Sequence, residues 1–412
     1  VLAKFPGPGG KPIAGTKGIS LFIVPKQLVD ADGALTGERN DIALAGLNHK
    51  LGYRGIPNTL LNFGEGKFPV RAGAAGGTAR PGADAGAALD AGPRAGTGLD
   101  GAGAGAIGYL VGKPHEGLRC MFHMMNEARI AVGLGATMLG YAGYETSLDY
   151  AKSRPQGRPI GPGGKDATLP QVPIIRHADV KRMLLAQKSY CEGALALELY
   201  CARLVDEQHT GAPQASAEAA LLLDVLTPIA KSWPSEWCLE ANSLAIQVLG
   251  GYGYTRDFPV EQYWRDNRLN MIHEGTHGIQ ALDLLGRKVV MQDGAGLAAI
   301  GRKVDATIAR ARTAPEFVPH ADALAEAYAH LTAATTAAWA TGNPEEALAN
   351  ATPYLQAFGH TVLAWIWLDV AICAQACVAR PGSNEALGRG LLVACTYFFH
   401  YEVPRIGAWL GV

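Results

Sequence analysis

From Gly117 to the end of the chain the apolar residues recur with a helical period, and before that point they do not. That change of period constrains the fold more than any other feature. Four long periodic stretches follow it, over residues 118–153, 177–207, 217–249 and 259–290. The second has Asp179 in its first turn, an N-terminal signal. The third carries Pro228 and Pro234, which are expected to break or kink it near its start, and it stops at Gly250-Gly251. Four long segments able to run antiparallel predict a four-helix bundle over residues 117–292. Beyond Gly296, Ala-rich helical segments broken at Gly342-Asn343-Pro344, residues 350–353 and Arg380-Pro381-Gly382 predict a separate, smaller helical domain over residues 293–412.

Residues 1–116 read differently. GISLFIVPK and NTLLNFGE are short apolar runs bounded by Gly, Pro and Asn, which is a strand pattern. The strands are too few for a complete domain, so this part is expected to be a partial β-domain, truncated at its N-terminal side. Within it, residues 71–106 are almost only Gly, Ala, Pro, Arg, Asp and Thr. Such a stretch buries too little apolar surface to offset its ordering entropy, and a disordered insertion at a loop tip is expected. The predicted fold class is therefore mainly α with a partial β-domain.

The charge balance excludes some functions. Net charge is −1 with no block of like charges, which gives no electrostatic reason for a nucleic-acid or membrane partner. Seven cysteines, odd in number and without a C-x-x-C pair, argue against a disulfide framework or structural zinc and suit a reducing cytoplasm. The first residues show no signal-peptide pattern. Residues 360–378 approach the length of a membrane span but enclose Asp369 and Gln375. A charge at the bilayer centre costs roughly 3 kcal/mol even on the lenient scale, so a buried helix is expected.

The chemistry-bearing stretch is His273-Glu274-Gly275-Thr276-His277, which formally matches H-E-x-x-H. On a helix, His273 and His277 would share a face and could bind zinc, with Glu274 activating water. No third His follows at the usual spacing and no Glu occurs between Glu274 and Glu316. Gly275 and Thr276 are also poor helix-interior residues. No metal ligand set is assigned.

The surroundings give the same residues another meaning. QVLGGYGYTRDFPVEQYWRDNRLNMIHEGTHGIQ, residues 247–280, resembles the signature region of acyl-CoA dehydrogenases: Q-x-x-G-G-x-G, then R-D, then E-G-T-x-x-I-Q at matching separations. GTKGISLFIVPK is similar to that family's middle β-domain, and MFHMMNEARIAVG to the start of its first bundle helix. The C-terminal extension, with ANATPYLQAFG, resembles the large bacterial subgroup that includes methylmercaptopropionyl-CoA dehydrogenase.

The resemblance implies a four-helix-bundle flavoprotein that oxidises an acyl-CoA thioester to the 2-enoyl-CoA. It implies FAD as cofactor, Glu274 as the base for the α-proton, and a Glu274 backbone N–H that helps hold the thioester oxygen. It also implies electron-transfer flavoprotein as the electron acceptor. Arg154, Gln156, Gln247, Gly250, Gly251 and Thr276 match flavin contacts, some to a neighbouring subunit's FAD, so at least a homodimer is implied. Arg129 resembles an arginine that orients the active site, a buried structural role being equally open, and His273 stands where Tyr is usual. Gln156-Gly157 replaces the usual Phe-Gly, and the alternative base position of some members is Ala128 here. The competing reading is an inactive remnant that keeps the bundle as an oligomerisation scaffold.

Overall fold

A computed structural model describes residues 1–7, 9–70, 105–161, 164–380 and 382–411. The low-complexity stretch expected to be a disordered insertion lies outside the described residues, apart from its last two. The chain forms two compact units, residues 1–126 and 127–412.

The first unit is built from short strands. β2 (Ile19–Ile23) lies between β1 (Leu2–Lys4) and β7 (Tyr109–Val111), antiparallel to both, with Leu21 opposite Leu2 and Val111. β3 (Gln27–Val29) pairs with β4 (Leu35–Arg39), and β5 (Ile42–Leu47) with β6 (Thr59–Phe63). The corner between β4 and β5 is a buried polar pair, and buried polar groups need partners. Asn40 donates from Nδ2 to the carbonyls of Pro25 and Ile107 and accepts from the N–H of Ile107. Asp41 accepts from the N–H groups of Gly66 and Phe68. Both flanks of residues 71–104 are thus held by one corner.

The second unit is helical. α1 (Gly117–Ser153, which begins in the first unit's residues), α2 (Ala178–Thr210) and α3 (Pro213–Leu249) follow the predicted stretches within a few residues. Two expectations fail. α3 does not break at its prolines: it runs through Pro228 and Pro234, and every residue from 225 to 235 is buried. An interior proline costs about 3 kcal/mol. Burying a Val, Leu or Ile side chain recovers roughly 1.5–3 kcal/mol each, and this stretch buries Val225, Leu226 and Ile229 together with Trp233. The second failure is the helix expected over residues 259–290. It is split into α4 (Val260–Asn267), a single 3-10 turn (Arg268–Met271), a turn, and α5 (His277–Asp283), because Glu274 and Gly275 both take positive φ.

α6 (Ala295–Ala311), α7 (Val318–Ala338), α8 (Pro344–Leu348), α9 (Ala351–Val378), α10 (Glu385–Tyr397) and α11 (Arg405–Leu410) complete the unit. Their buried residues share one hydrophobic core with α2 and α3. α9 is long and apolar enough to cross a membrane by length and composition, and residues 357–368 along it are all buried in that core. Its polar groups are partnered: Trp233 Nε1 donates to His360 Nδ1 at 3.1 Å, Trp367 Nε1 to the Ser189 carbonyl at 3.2 Å, and Asp369 pairs with Arg310.

α1 and α3 come close together at Gly133. Pro234 has no N–H, so the Ala230 carbonyl loses its helical partner, and Gly133 brings bare backbone to that spot. A Cβ at Gly133 would lie 2.1 Å from the Ala230 oxygen and 2.3 Å from Glu198 Oε1, whereas one at Gly135 would meet nothing within 4 Å. Gly133→Ala is expected to destabilise the chain by about 2 kcal/mol or more, and Gly135→Ala to stabilise it by about 0.5–1 kcal/mol. Urea midpoints that moved in the same direction for both variants would contradict this packing.

Candidate active site

The turn at residues 272–276 is held by two elements, α3 and α5, and by its own last residue. From α3, Lys231 is fully buried, and its Nζ donates to the carbonyls of Asn270 (2.7 Å) and Gly275 (2.6 Å). From α5, the buried Gln280 donates from Nε2 to the Glu274 carbonyl at 3.0 Å. Thr276 caps α5, its hydroxyl accepting from the Ile279 N–H at 3.4 Å. Glu274 has φ +54° and Gly275 φ +91°. A non-glycine residue in the left-handed region costs about 1–2 kcal/mol and persists only where its surroundings over-determine it. Here the Gly275 position is also tight, since a Cβ there would sit 2.5 Å from Gln280 Nε2.

The Glu274 residue is exposed, and among the described residues its N–H donates no hydrogen bond. His273 accompanies it, with Nδ1 3.1 Å from the Leu269 carbonyl. Because this segment is a turn, His273 and His277 do not share a helix face, and the geometry that H-E-x-x-H needs for zinc is not formed.

Arg129 on α1 is buried and donates to Asp283 at the end of α5 at 2.9 Å; Asp283 also pairs with Arg287. The field around the turn is cationic. Burial and repulsion from Arg129, partly offset by Glu274, bring Lys231 down to about 8. Burial, with Lys231 and Arg268 adding to it, brings His277 down to about 4. Neither ring nitrogen of His277 has a hydrogen-bond partner among the described residues, and Nε2 lies 3.6 Å from Glu236 Oε2.

A second cluster sits at the far end of α3. Arg154, Gln156, Gln247, Gly250 and Gly251 line one open cleft of about 810 Å³, with Tyr150, His177 and Tyr252. The chain reaches it through a short antiparallel pairing after α1, in which the Gln156 N–H donates to the Val172 carbonyl and the Ile174 N–H to that of Arg154. The Gln156 carbonyl accepts from His177 Nε2 at 2.7 Å. Gly250, at φ +61°, ends α3, and a Cβ at Gly250 or Gly251 would meet nothing within 4 Å. The residues predicted from sequence therefore fall into two groups: five in the cleft, and Arg129, His273, Glu274 and Thr276 at or beside the turn. Lys231 lies sixteen residues before Gln247 on α3, roughly 24 Å along the axis.

Lys231 and Gln280 are the residues that sequence reading missed. The signal for Lys231 was present: it is the lone charge in VLTPIAKSWP, the most buried run of the longest apolar helix.

Comparison with known proteins bears on the family and the fold. A family model described as "Acyl-CoA dehydrogenase, C-terminal domain" matches residues 165–289, and one described as "Acetyl-CoA dehydrogenase C-terminal like" matches residues 300–412. The chain is 33% identical to 3-methylmercaptopropionyl-CoA dehydrogenase of Ruegeria pomeroyi over 90% of its own length and 56% of that protein's. It is 30% identical to a broad-specificity linear acyl-CoA dehydrogenase of Mycobacterium tuberculosis over 98% of its own length and 62% of that protein's. Two solved structures share the fold. Caenorhabditis elegans ACDH-11 in complex with C11-CoA has a TM-score of 0.69 at 20% identity, over 98% of this chain and 56% of that one. An acyl-CoA dehydrogenase complexed with FAD from Bacillus anthracis has a TM-score of 0.67 at 16% identity, over 100% and 59%. This chain belongs to the acyl-CoA dehydrogenase family. It spans somewhat over half the length of the curated relatives it matches.

The half-buried His277 has a measurable consequence. Its folded-state value of about 4 lies below the ordinary 6.5. As pH falls from 6.5 to 4, the unfolded chain takes up a proton that the folded site refuses, so stability present above 6.5 is lost. Urea-unfolding free energy is expected to fall over that interval by up to about 3 kcal/mol less in His277→Gln than in the unsubstituted chain. Parallel curves would show that the imidazole titrates normally.

Proposed function

We propose that this chain carries the catalytic machinery of an FAD-dependent dehydrogenase that converts an acyl-CoA thioester to the 2-enoyl-CoA, with Glu274 as the base. The observation that carries this reading is the turn itself. A strained backbone, held by buried groups, presents an exposed carboxylate and an unused N–H from the same residue. Strain of that kind clusters at functional sites.

The cleft suits the adenosine diphosphate portion of a flavin. It offers the Arg154 guanidinium, the Gln156 and Gln247 amides, the Tyr252 ring and two glycines whose missing Cβ atoms leave backbone open to the cleft. When bound, FAD supplies the acceptor for the hydride that leaves the substrate β-carbon. The other half of the reaction falls to this chain. The α-C–H bond breaks, its proton passes to a Glu274 carboxylate oxygen, and its electron pair becomes the α,β-double bond. The Glu274 N–H donates to the thioester oxygen, where negative charge develops as that proton leaves. Lys231, Gln280 and Arg129 keep the donor and the base in place, and Thr276 lies beside them where the flavin contact is proposed.

A separation of roughly 24 Å between turn and cleft along α3 supports a homodimer or larger homo-oligomer, in which each cleft serves a cofactor whose reactive end lies at a neighbour's turn. Electrons then pass to an electron-transfer flavoprotein.

With the full chain loaded with FAD, Glu274→Gln is expected to slow acyl-CoA-driven flavin bleaching by roughly 10²- to 10⁴-fold at unchanged FAD content. Gly251→Val is expected to lower FAD content without moving the thermal midpoint of the apoprotein, since nothing in the fold opposes a Cβ there. Unimpaired bleaching by Glu274→Gln would assign the base elsewhere.

A further inference from the structure

We propose that Lys231 is the positioning residue of this site: its buried ammonium ties the two ends of the segment 270–275 to helix α3 and so fixes how Glu274 is presented. The proposal rests on the reading of Glu274 as base, and its structural half can be tested apart from that reading.

Lys231 is fully buried in the middle of α3, and among the described residues no carboxylate lies within ion-pair distance of its Nζ. Burying an ammonium without a counter-ion is costly, and a methionine would fill the same space more cheaply. What the lysine provides is two charge-assisted hydrogen bonds to carbonyls five residues apart, Asn270 and Gly275. The chain between those carbonyls leaves the 3-10 turn, passes through Glu274 at φ +54° and enters Gly275 at φ +91°. The Glu274 conformation is not self-sustaining, and Gln280 holds only the Glu274 carbonyl. Lys231 is the group that closes the segment at both ends.

The charges facing Lys231 come from each neighbouring element. They are Arg129 from α1, Glu274 from the turn and His277 from α5, with Arg268 of the preceding 3-10 turn acting on His277. Two of these, Arg129 and Glu274, act in opposite directions on the ammonium, and burial adds to the effect of Arg129, giving a value of about 8. Lys231 is therefore charged below pH 8 and loses its proton above it. The charge-assisted bonds then weaken to neutral ones of roughly half the strength.

The test uses the full chain. Hydrogen–deuterium exchange of the amides of residues 270–273 is expected to quicken about 10-fold or more in Lys231→Met, with the amides of α2 unchanged. In the unsubstituted chain, protection of the same amides, corrected for intrinsic exchange, is expected to fall several-fold between pH 7 and 9.5. Unchanged exchange in Lys231→Met overturns the proposal. If that variant does not fold, pH-independent protection in the unsubstituted chain overturns it instead.

In the FAD-loaded protein, Lys231→Met is expected to lower kcat for bleaching about 10- to 100-fold while KM for acyl-CoA moves less than 3-fold. It is also expected to abolish the fall in kcat above pH 8. A loss in KM alone would make the lysine merely structural. An unsubstituted, FAD-loaded chain that no acyl-CoA bleaches would remove the dehydrogenase reading, and the exchange result would still decide the role of Lys231 in the turn.

Discussion

The two hydrogen bonds from Lys231 to the Asn270 and Gly275 carbonyls are the constraint around which this unit is arranged. A lysine can deliver its ammonium to that depth only from a helix that is itself buried and straight enough to reach the site. This explains a third helix that tolerates two prolines. α3 is covered on all sides from residue 225 to 235, by α1 and α2 and by the C-terminal helices, and that cover outweighs the hydrogen bonds that Pro228 and Pro234 remove. The same helix, continued to Gly250, carries Gln247 to the cleft at its other end. One rigid rod therefore sets the spacing between the turn and the cleft.

The C-terminal helices contribute to that rigidity through polar as well as apolar contacts. Trp233, two residues after Lys231, donates to His360 on α9. Glu402, fully buried, accepts from Tyr190 on α2 at 2.8 Å and lies 3.2 Å from Arg405 Nε on α11. A buried carboxylate that loses its partners is strongly destabilising, so each of these elements is held to the others by groups that tolerate no displacement. The apolar run in α9 that approaches a membrane span in length is accounted for by this packing. Over residues 357–368 it is apolar on every side because helices cover every side there.

Much of this was legible in the sequence, for a physical reason in each case. The switch to helical period at Gly117 gave α1, α2 and α3, because long amphipathic or buried helices repeat their signal over many turns. Gly250-Gly251 marked the end of α3 because positive φ at a helix end favours glycine. The linked motifs around Gln247 and Glu274 pointed to the residues that the fold gathers in the cleft and at the turn. The continuity of α3 was not legible, since local rules assign a break to an interior proline and only tertiary burial reverses it. The interruption at residues 272–276 left a fainter mark, Gly275 and Thr276 as poor helix-interior residues, because the apolar period resumes in α5 and a two-residue excursion to positive φ barely disturbs it. Lys231 left one mark in the sequence, a lone charge in the apolar run VLTPIAKSWP, but its role was not legible because its partners are backbone carbonyls, which carry no sequence signature.

The interruption of the helix also sets what the proposed base can offer. In a helix the N–H of residue i is spent on the carbonyl of residue i−4, and a glutamate there offers only its side chain. At φ +54° the Glu274 N–H donates no hydrogen bond among the described residues, so one residue can offer a carboxylate for the α-proton and a donor for the thioester oxygen. The two groups then share a single Cα, so the backbone conformation that frees the N–H also sets where the side chain starts. That arrangement carries a backbone penalty of about 1–2 kcal/mol at Glu274. The penalty must be met outside the turn, because the turn has too few contacts of its own. Lys231, Gln280 and the Thr276 cap meet it from α3 and α5, and Arg129 secures α5 through Asp283. Three of these groups, Lys231, Gln280 and Arg129, are buried, and what they hold in place is the strain at one residue.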